Sequence, residues 1–161
     1  MALMNDSLKS QLENNWLVPE GGQFPNSVAE SAQRFADAVV QWFSLAQANG
    51  IPCATAMARK AQLVASATGA LSAQSAQAAG TQLAMGVAGY IAGQSFPPGA
   101  ALFPLAASSA ASMMIGAFSD VNGSISQKAS TIASACTILA TSTQAAGFPL
   151  PAFPTPMAPI V

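Results

Sequence analysis

Apolar side chains recur along most of the chain at the three- and four-residue spacings of amphipathic helices. The clearest case begins at Ser27, which forms an S-x-x-E capping pattern with Glu30. Gly50 and Pro52 then supply the signals that typically end a helix. The sequence therefore predicts a helix over residues 27–49, with a single apolar stripe made of Val28, Ala32, Phe35, Val39, Trp42 and Ala46.

The same periodicity predicts further helices between the Gly and Pro residues of the chain. Their expected ranges are 6–15, 54–68, 72–92, 105–120 and 124–146. The inward side chains expected in the helix over 54–68 are Met57, Ala61, Val64 and Thr68. No sustained alternation of β-branched and aromatic residues with polar residues indicates strands. The expected fold class is all-α, a bundle of about five to six helices.

Residues 148–161 have a different pattern, because five prolines exclude a helix and favour an extended, polyproline-like arm. We expect a helical bundle domain over 1–147 and this hydrophobic Pro-rich arm over 148–161. The arm carries no charge, and its large apolar side chains are the candidate partner-binding residues: Phe148, Leu150, Phe153, Met157, Ile160 and Val161. Exposure of six such side chains would favour aggregation.

Two placements of the arm remain open. The arm can fold back over its own bundle, or it can dock on a neighbouring subunit. We favour docking, because an arm that is already extended loses little conformational entropy when it binds.

Charge is scarce along the whole chain. Charged residues make up 7% of the sequence, against about 25% in an ordinary soluble domain. There is no charge between Gln62 and Ser119, and none after Lys128. A surface with so little charge needs to be covered, either by partner proteins or by a membrane.

The net charge of −1 argues against nucleic-acid binding, which depends on neutralising several phosphates. A membrane location is also not favoured, because Pro97 and Pro98 interrupt the most apolar region and its hydropathy comes mostly from Ala. The N-terminal segment is polar and lacks the pattern of a secretory signal. Cys53 and Cys136 are expected to be small buried hydrophobes, although a single disulfide remains an alternative.

No residue pattern predicts catalysis. The chain has no His, which removes the commonest general base and most zinc sites. Neither Cys53 nor Cys136 has metal-ligand spacing, and no phosphate-binding loop occurs. Glu30 and Arg34 are four residues apart and are expected to form a surface ion pair. We therefore expect no enzymatic activity, no cofactor and no metal.

Three short motifs resemble those of a group of small virion structural proteins from tailed bacteriophages. The chain opens with Met1-Ala2-Leu3 before a turn at Pro19, and continues with the A-x-x-[FW]-A-D-A motif at residues 32–38. A P-P-G-A turn follows at residues 97–100, within an Ala- and Gly-rich middle region. The resemblance spans most of residues 1–147 and does not include the Pro-rich arm.

This resemblance implies a component of a phage particle, located in the tail or baseplate of a myophage-like virion. Its partners would be other virion proteins and copies of itself, and its location would be the virion, which is assembled in the host cytoplasm. No catalytic residues carry over from this group. Two alternatives stand beside this expectation: a holin-like membrane-active protein, and a capsid-associated decoration or cement protein.

Overall fold

Helices account for most of the chain in the computed structural model, which describes residues 3–18, 22–148 and 157–161. The helices are α1 (Asn5–Gln11), a π-helical segment (Leu12–Leu17), α2 (Val28–Phe43), α3 (Lys60–Leu71), α4 (Ala76–Ile91), α5 (Ala107–Ser119) and α6 (Ile125–Thr141). The expectation of a mostly helical fold is confirmed.

Short antiparallel strands are the feature that the sequence did not predict. They are β1 (Gln47–Ala48), β2 (Ile51–Pro52), β3 (Ser95–Phe96), β4 (Gly99–Ala101), β5 (Gln144–Ala146) and β6 (Met157–Pro159). Strands β1 and β2 pair with each other, and the other four form one sheet in the order β3-β4-β5-β6. The all-α class is therefore too narrow. The last part of the expected arm, residues 157–159, lies in this sheet beside β5.

The chain consists of three successive units, each with two helices followed by a β-hairpin. The first unit contains α1, α2 and β1–β2, the second α3, α4 and β3–β4, and the third α5, α6 and β5–β6. The first two hairpins have two-residue loops, at residues 49–50 and 97–98. In the third hairpin, Ala146 pairs with Met157 and the connection is longer. The apolar Pro-rich segment is therefore the connection within the third hairpin.

Equivalent residues in the three units recur about 48 positions apart. Helices α2, α4 and α6 each begin after a serine whose hydroxyl accepts a hydrogen bond from the backbone N–H three residues later. These serines are Ser27, Ser75 and Ser124. The buried residues follow the same spacing. They include Phe35, Leu83 and Ile132, then Ala36, Ala84 and Ala133, and then Trp42, Tyr90 and Leu139.

Hydrogen bonds join the three hairpins into a closed ring. The backbone N–H of Ala54 donates to Ser95 O at 2.8 Å, and this bond links the first hairpin to the second. The equivalent bonds are Leu102 N to Gln144 O at 2.8 Å and Val161 N to Gln47 O at 2.9 Å. Ile160 also forms a β-bridge with Ala48. These bonds thus connect the two-stranded sheet to both ends of the four-stranded sheet.

The helices also form a closed series of contacts. Helix α2 packs against α3, α4 against α5, and α6 back against α1. Small residues at these contacts allow close approach. A Cβ atom added to Gly80 on α4 would lie 2.5 Å from the backbone N of Ile115 on α5. The buried side chains from all three units form one continuous core. We call the helices and hairpins together the three-unit ring.

Two sequence-based helix ranges extend too far into the hairpins. Helix α2 ends at Phe43 instead of residue 49, and α6 ends at Thr141 instead of residue 146. Asn49 and Gly50 both have positive φ, as a type I′ hairpin turn requires. The expected inward positions of Met57 and Ala61 are also wrong, because Met57 precedes α3 and both side chains are exposed. The buried side chains of α3 are Leu63, Ala67 and Ala70.

Candidate functional surfaces

The candidate partner-binding residues at the C-terminal end differ in exposure. The side chains of Phe148 and Ile160 are buried within the chain, whereas Val161 is about half exposed. Phe148 packs over Gly99, where an added Cβ would lie 2.7 Å from the phenyl ring. Met157 belongs to β6 through its backbone. Leu150 and Phe153 lie outside the described residues. In this conformation, Phe148 and Ile160 therefore contribute to the core of their own chain.

A buried polar cluster lies where the first hairpin meets the second unit. The side-chain oxygen of Gln94 accepts hydrogen bonds from the Thr55 hydroxyl at 2.7 Å and from the Cys53 thiol at 3.4 Å. Its amide nitrogen donates to the carbonyl of Tyr90 at 3.0 Å. The Thr55 hydroxyl in turn accepts a hydrogen bond from the backbone N–H of Ser95. Buried polar groups need hydrogen-bond partners, and these polar atoms find theirs within the chain. The cluster therefore does not need a bound ligand to satisfy them.

Arg59 closes the C-terminal end of α4. Its guanidinium donates to the carbonyls of Gly89 at 3.2 Å and Tyr90 at 3.1 Å, and also to Ala92 O. These carbonyls lack partners inside the helix, and a positive charge is favourable at that end of the helix dipole. Nε and Nη2 of the same Arg59 side chain also donate hydrogen bonds to the side-chain oxygen of Gln62. The geometry thus gives Arg59 a structural role between the first and second units.

The thiols and the tyrosine hydroxyl are poor nucleophiles in this structure. Desolvation by burial raises the pKa of Cys53, although hydrogen bonds from the backbone N–H groups of Thr55 and Ala56 oppose the change. Burial alone raises the pKa of Cys136 to about 12. Burial also raises the pKa of Tyr90, whose hydroxyl donates to Ala56 O at 2.9 Å. The reactive form of a cysteine is the thiolate, which a raised pKa disfavours.

Glu30 and Asp37 form ion pairs at the surface. Glu30 accepts a hydrogen bond from the backbone N–H of Asn26 and forms an ion pair with Arg34 at 2.5 Å. Both hydrogen bonds lower the pKa of Glu30, and the bond from the Asn26 backbone N–H has a larger effect than the bond from Arg34. Asp37 pairs with Lys60 at 2.5 Å, which joins α2 to the start of α3. The expected pairing of Glu30 with Arg34 is present.

The arrangement offers no clustered set of ligands for a metal. In the residues that the structure describes, no group of three or more Cys, Asp or Glu side chains could hold a metal ion. The two cysteines lie in different environments, Cys53 half-buried and Cys136 buried, and both are free thiols. Among the described residues, no helix combines the length and the apolar character needed to cross a membrane.

Exposed apolar side chains are the remaining candidate for function. The large ones among the described residues are Met4, Phe24, Val28, Leu45, Met57, Met85, Leu102, Phe103, Leu105, Val121 and Val161. Several lie in the connectors that lead from a hairpin to the next helix. The helix ranges expected from the sequence include Met57 and Leu105, so these residues were not predicted to be exposed. The sequence does contain a signal for these exposed residues. An apolar residue stands one to three positions before α1, α3 and α5, where polar capping residues are usual.

Comparison with family models, curated proteins and solved structures gives no match for this chain.

Proposed function

We propose that this protein is a non-enzymatic structural subunit that works by burying its weakly charged surface against other proteins of a larger assembly. The observation that carries the proposal is the surface of the second and third units. The sequence from Gln62 to Ser119 has no charged residue, yet Met85, Leu102, Phe103 and Leu105 are exposed there. Apolar exposure without surrounding charge is typical of a surface that becomes covered by a partner.

The rigidity expected of the ring supports a structural role. Its hairpins are hydrogen-bonded to one another and its helices share one core. The polar cluster around Gln94 has partners within the chain, and Arg59 is bound to the end of α4. Such a unit can present a fixed surface to neighbours with little loss of conformational entropy on binding.

The resemblance to virion proteins supplies the finer part of the proposal. The assembly would be a bacteriophage particle, with the tail or baseplate as the location. The partners would be other virion proteins and copies of this chain. Contact residues would include Val161 at the C-terminal end, together with the exposed apolar side chains of the connectors.

Co-purification tests the proposal directly. Particles purified from an infected host by density-gradient centrifugation and then washed in high salt are expected to retain the chain in a fixed ratio to the other virion proteins. Salt should not remove it, because apolar contacts are not screened as charge pairs are. Recovery in the host membrane fraction, with release only by detergent, would contradict the proposal and favour the holin-like alternative.

A further inference from the structure

The C-terminal strand β6 fills a gap between the third unit and the first. On one side it pairs with β5, where Ala145 lies opposite Ala158. On the other side Val161 N donates to Gln47 O at 2.9 Å, and Gln47 N donates to Val161 O at 2.8 Å. Residues 157–161 therefore lie between β5 and β1, and we call the place that they occupy the β5–β1 slot.

The slot holds the end of the chain mainly through backbone hydrogen bonds. Within residues 158–161, the side chains of Ala158 and Ile160 are buried, whereas Pro159 and Val161 are exposed. If β6 leaves, the backbone N–H and C=O groups along β5 and β1 lose their partners. Such strand edges pair readily with another extended segment. Every copy of the chain carries the same slot and the same strand that fits it.

The connection before β6 is much longer than pairing within one copy requires. The first two hairpins close with two residues each, whereas residues 147–156 separate β5 from β6. Four of these residues are prolines, and a Pro-rich segment of that length extends to about 30 Å. Paired residues of an antiparallel ladder lie only about 5 Å apart. Strand β6 can therefore reach a slot outside its own copy, whereas β2 and β4 cannot.

The side chains at this site do not oppose the entry of a strand from another copy. No charged residue follows Lys128, so both β5 and β6 lack charged side chains. Strand β1, on the other side of the slot, consists of Gln47 and Ala48. A strand of this composition can move from one copy to another without burying a charged side chain.

We propose that in the assembly β6 of one copy fills the β5–β1 slot of a second copy of this chain. Phe148 stays packed over Gly99 of its own copy, while Ala158 and Ile160 enter the core of the neighbour. The exchanged strand makes the contacts that it makes in the closed chain, so the exchange costs little. A neighbour in the same assembly presents its slot at a high effective concentration, which favours exchange there. This inference rests on the proposed function.

Disulfide trapping between two variants tests the exchange. Gln144 and Pro159 lie opposite each other across β5 and β6, and both are exposed. One full-length chain carries Gln144→Cys and another carries Pro159→Cys, and both are expressed together while particles assemble. The particles are purified, oxidised and run on a denaturing gel without reductant. Exchange is expected to shift the chain from the position of a monomer to that of a disulfide-linked dimer.

Particles that contain only one of the two variants provide the matched controls. Cys53 and Cys136 are present in every chain, so a dimer that appears only in the mixture reports the pairing of positions 144 and 159. When each chain is closed on itself, the two added cysteines never lie opposite each other. Particles without the dimer, or with equal dimer in the single-variant controls, would overturn the inference.

These failures can be told apart from failure of the proposed function. A chain that carries both substitutions and forms only an internal disulfide inside the particle is closed on itself. It is still an assembly subunit, so the proposed function survives. Absence of the parent chain and of both variants from particles would contradict both proposals.

Shortening the connection gives a second and independent readout. Deletion of residues 150–155 keeps Phe148 and leaves a four-residue connection, a length common in hairpins. The shortened chain is expected to keep a melting temperature near that of the parent. When both cysteine variants carry the deletion, the dimer specific to the mixture should be lost. Undiminished dimer in the shortened chains would overturn the inference, because the long connection would then play no part in the exchange.

Discussion

Replacing Gly80 with alanine tests the close packing of α4 against α5. The added Cβ would lie 2.5 Å from Ile115 N, 2.7 Å from its Cα and 2.8 Å from its Cγ1. Two of these atoms belong to the backbone of α5, so a side-chain rotation cannot remove the clash. The two helices would have to separate by roughly 1 Å, which is overpacking of a filled core.

The expected loss of stability combines two effects of opposite sign. Overpacking costs about 1–3 kcal/mol or more, whereas alanine in place of glycine within a helix gains about 1 kcal/mol. Because the clash involves backbone atoms, we expect the overpacking cost to lie at the upper end, with a net loss of about 1–2 kcal/mol for Gly80→Ala. Gly69 provides the matched control, since it is helical and a Cβ there meets nothing within 4 Å. Gly69→Ala should gain about 0.5–1 kcal/mol.

Urea denaturation followed by circular dichroism measures both variants. The midpoint should fall for Gly80→Ala and rise for Gly69→Ala, with unchanged slopes. The melting temperatures should shift by about 2–4 °C for each kcal/mol in a domain of this size. Equal stabilisation by both substitutions would refute the reasoning, because it would mean that α4 and α5 do not approach as closely as the structure places them.

Three further predictions concern single side chains. Ser75→Ala should lower the unfolding free energy by about 1 kcal/mol in a urea titration, because it removes the N-cap of α4, and no change would argue against the cap. Tyr90→Phe should cost about 1–3 kcal/mol, because it leaves the buried Ala56 carbonyl without its partner, and a neutral result would contradict that bond. With a pKa of about 12, Cys136 should react with a thiol reagent at pH 8 about 10³-fold more slowly than a free cysteine. Denaturant should restore its rate, and rapid labelling of Cys136 in the native protein would refute its burial.

The helices could be predicted because their signals are local. Ser27 lies at the N-cap position, and the stripe packs inward from Ala32 to Trp42, as the four- and three-residue spacing requires. Its first expected member, Val28, is exposed instead. Prediction is weaker in α3, where Ala, Ser and Thr occupy half of the positions and the apolar stripe is poorly defined. There the inward face was placed one position away from Leu63, which is the fully buried residue.

The hairpins could not be predicted from strand propensity. Their strands are two or three residues long and consist largely of Ala, Gln and Ser, which do not favour β structure. Their pairing depends on the other units of the ring, which a local pattern does not contain. One usable signal was present: the dipeptide Asn49-Gly50 is a strong hairpin marker, and it was interpreted as a helix stop.

The threefold repeat is hard to recognise in the sequence because several equivalent core residues share a chemical type without being identical. Phe35 corresponds to Leu83, and Trp42 to Tyr90. The long third connection also displaces β6 from the regular spacing, so the C-terminal end had the pattern of a separate arm.

Closure of the ring by the C-terminal strand is tested most directly by deleting residues 157–161. The deletion removes β6, the buried side chain of Ile160 and the bonds between Val161 and Gln47. Loss of a buried Ile side chain alone costs about 2–5 kcal/mol. We therefore predict that the unfolding free energy in urea falls by at least about 4 kcal/mol, while the control Val161→Ala changes it by less than about 0.5 kcal/mol. A truncated chain as stable as the parent would contradict a ring closed through β6.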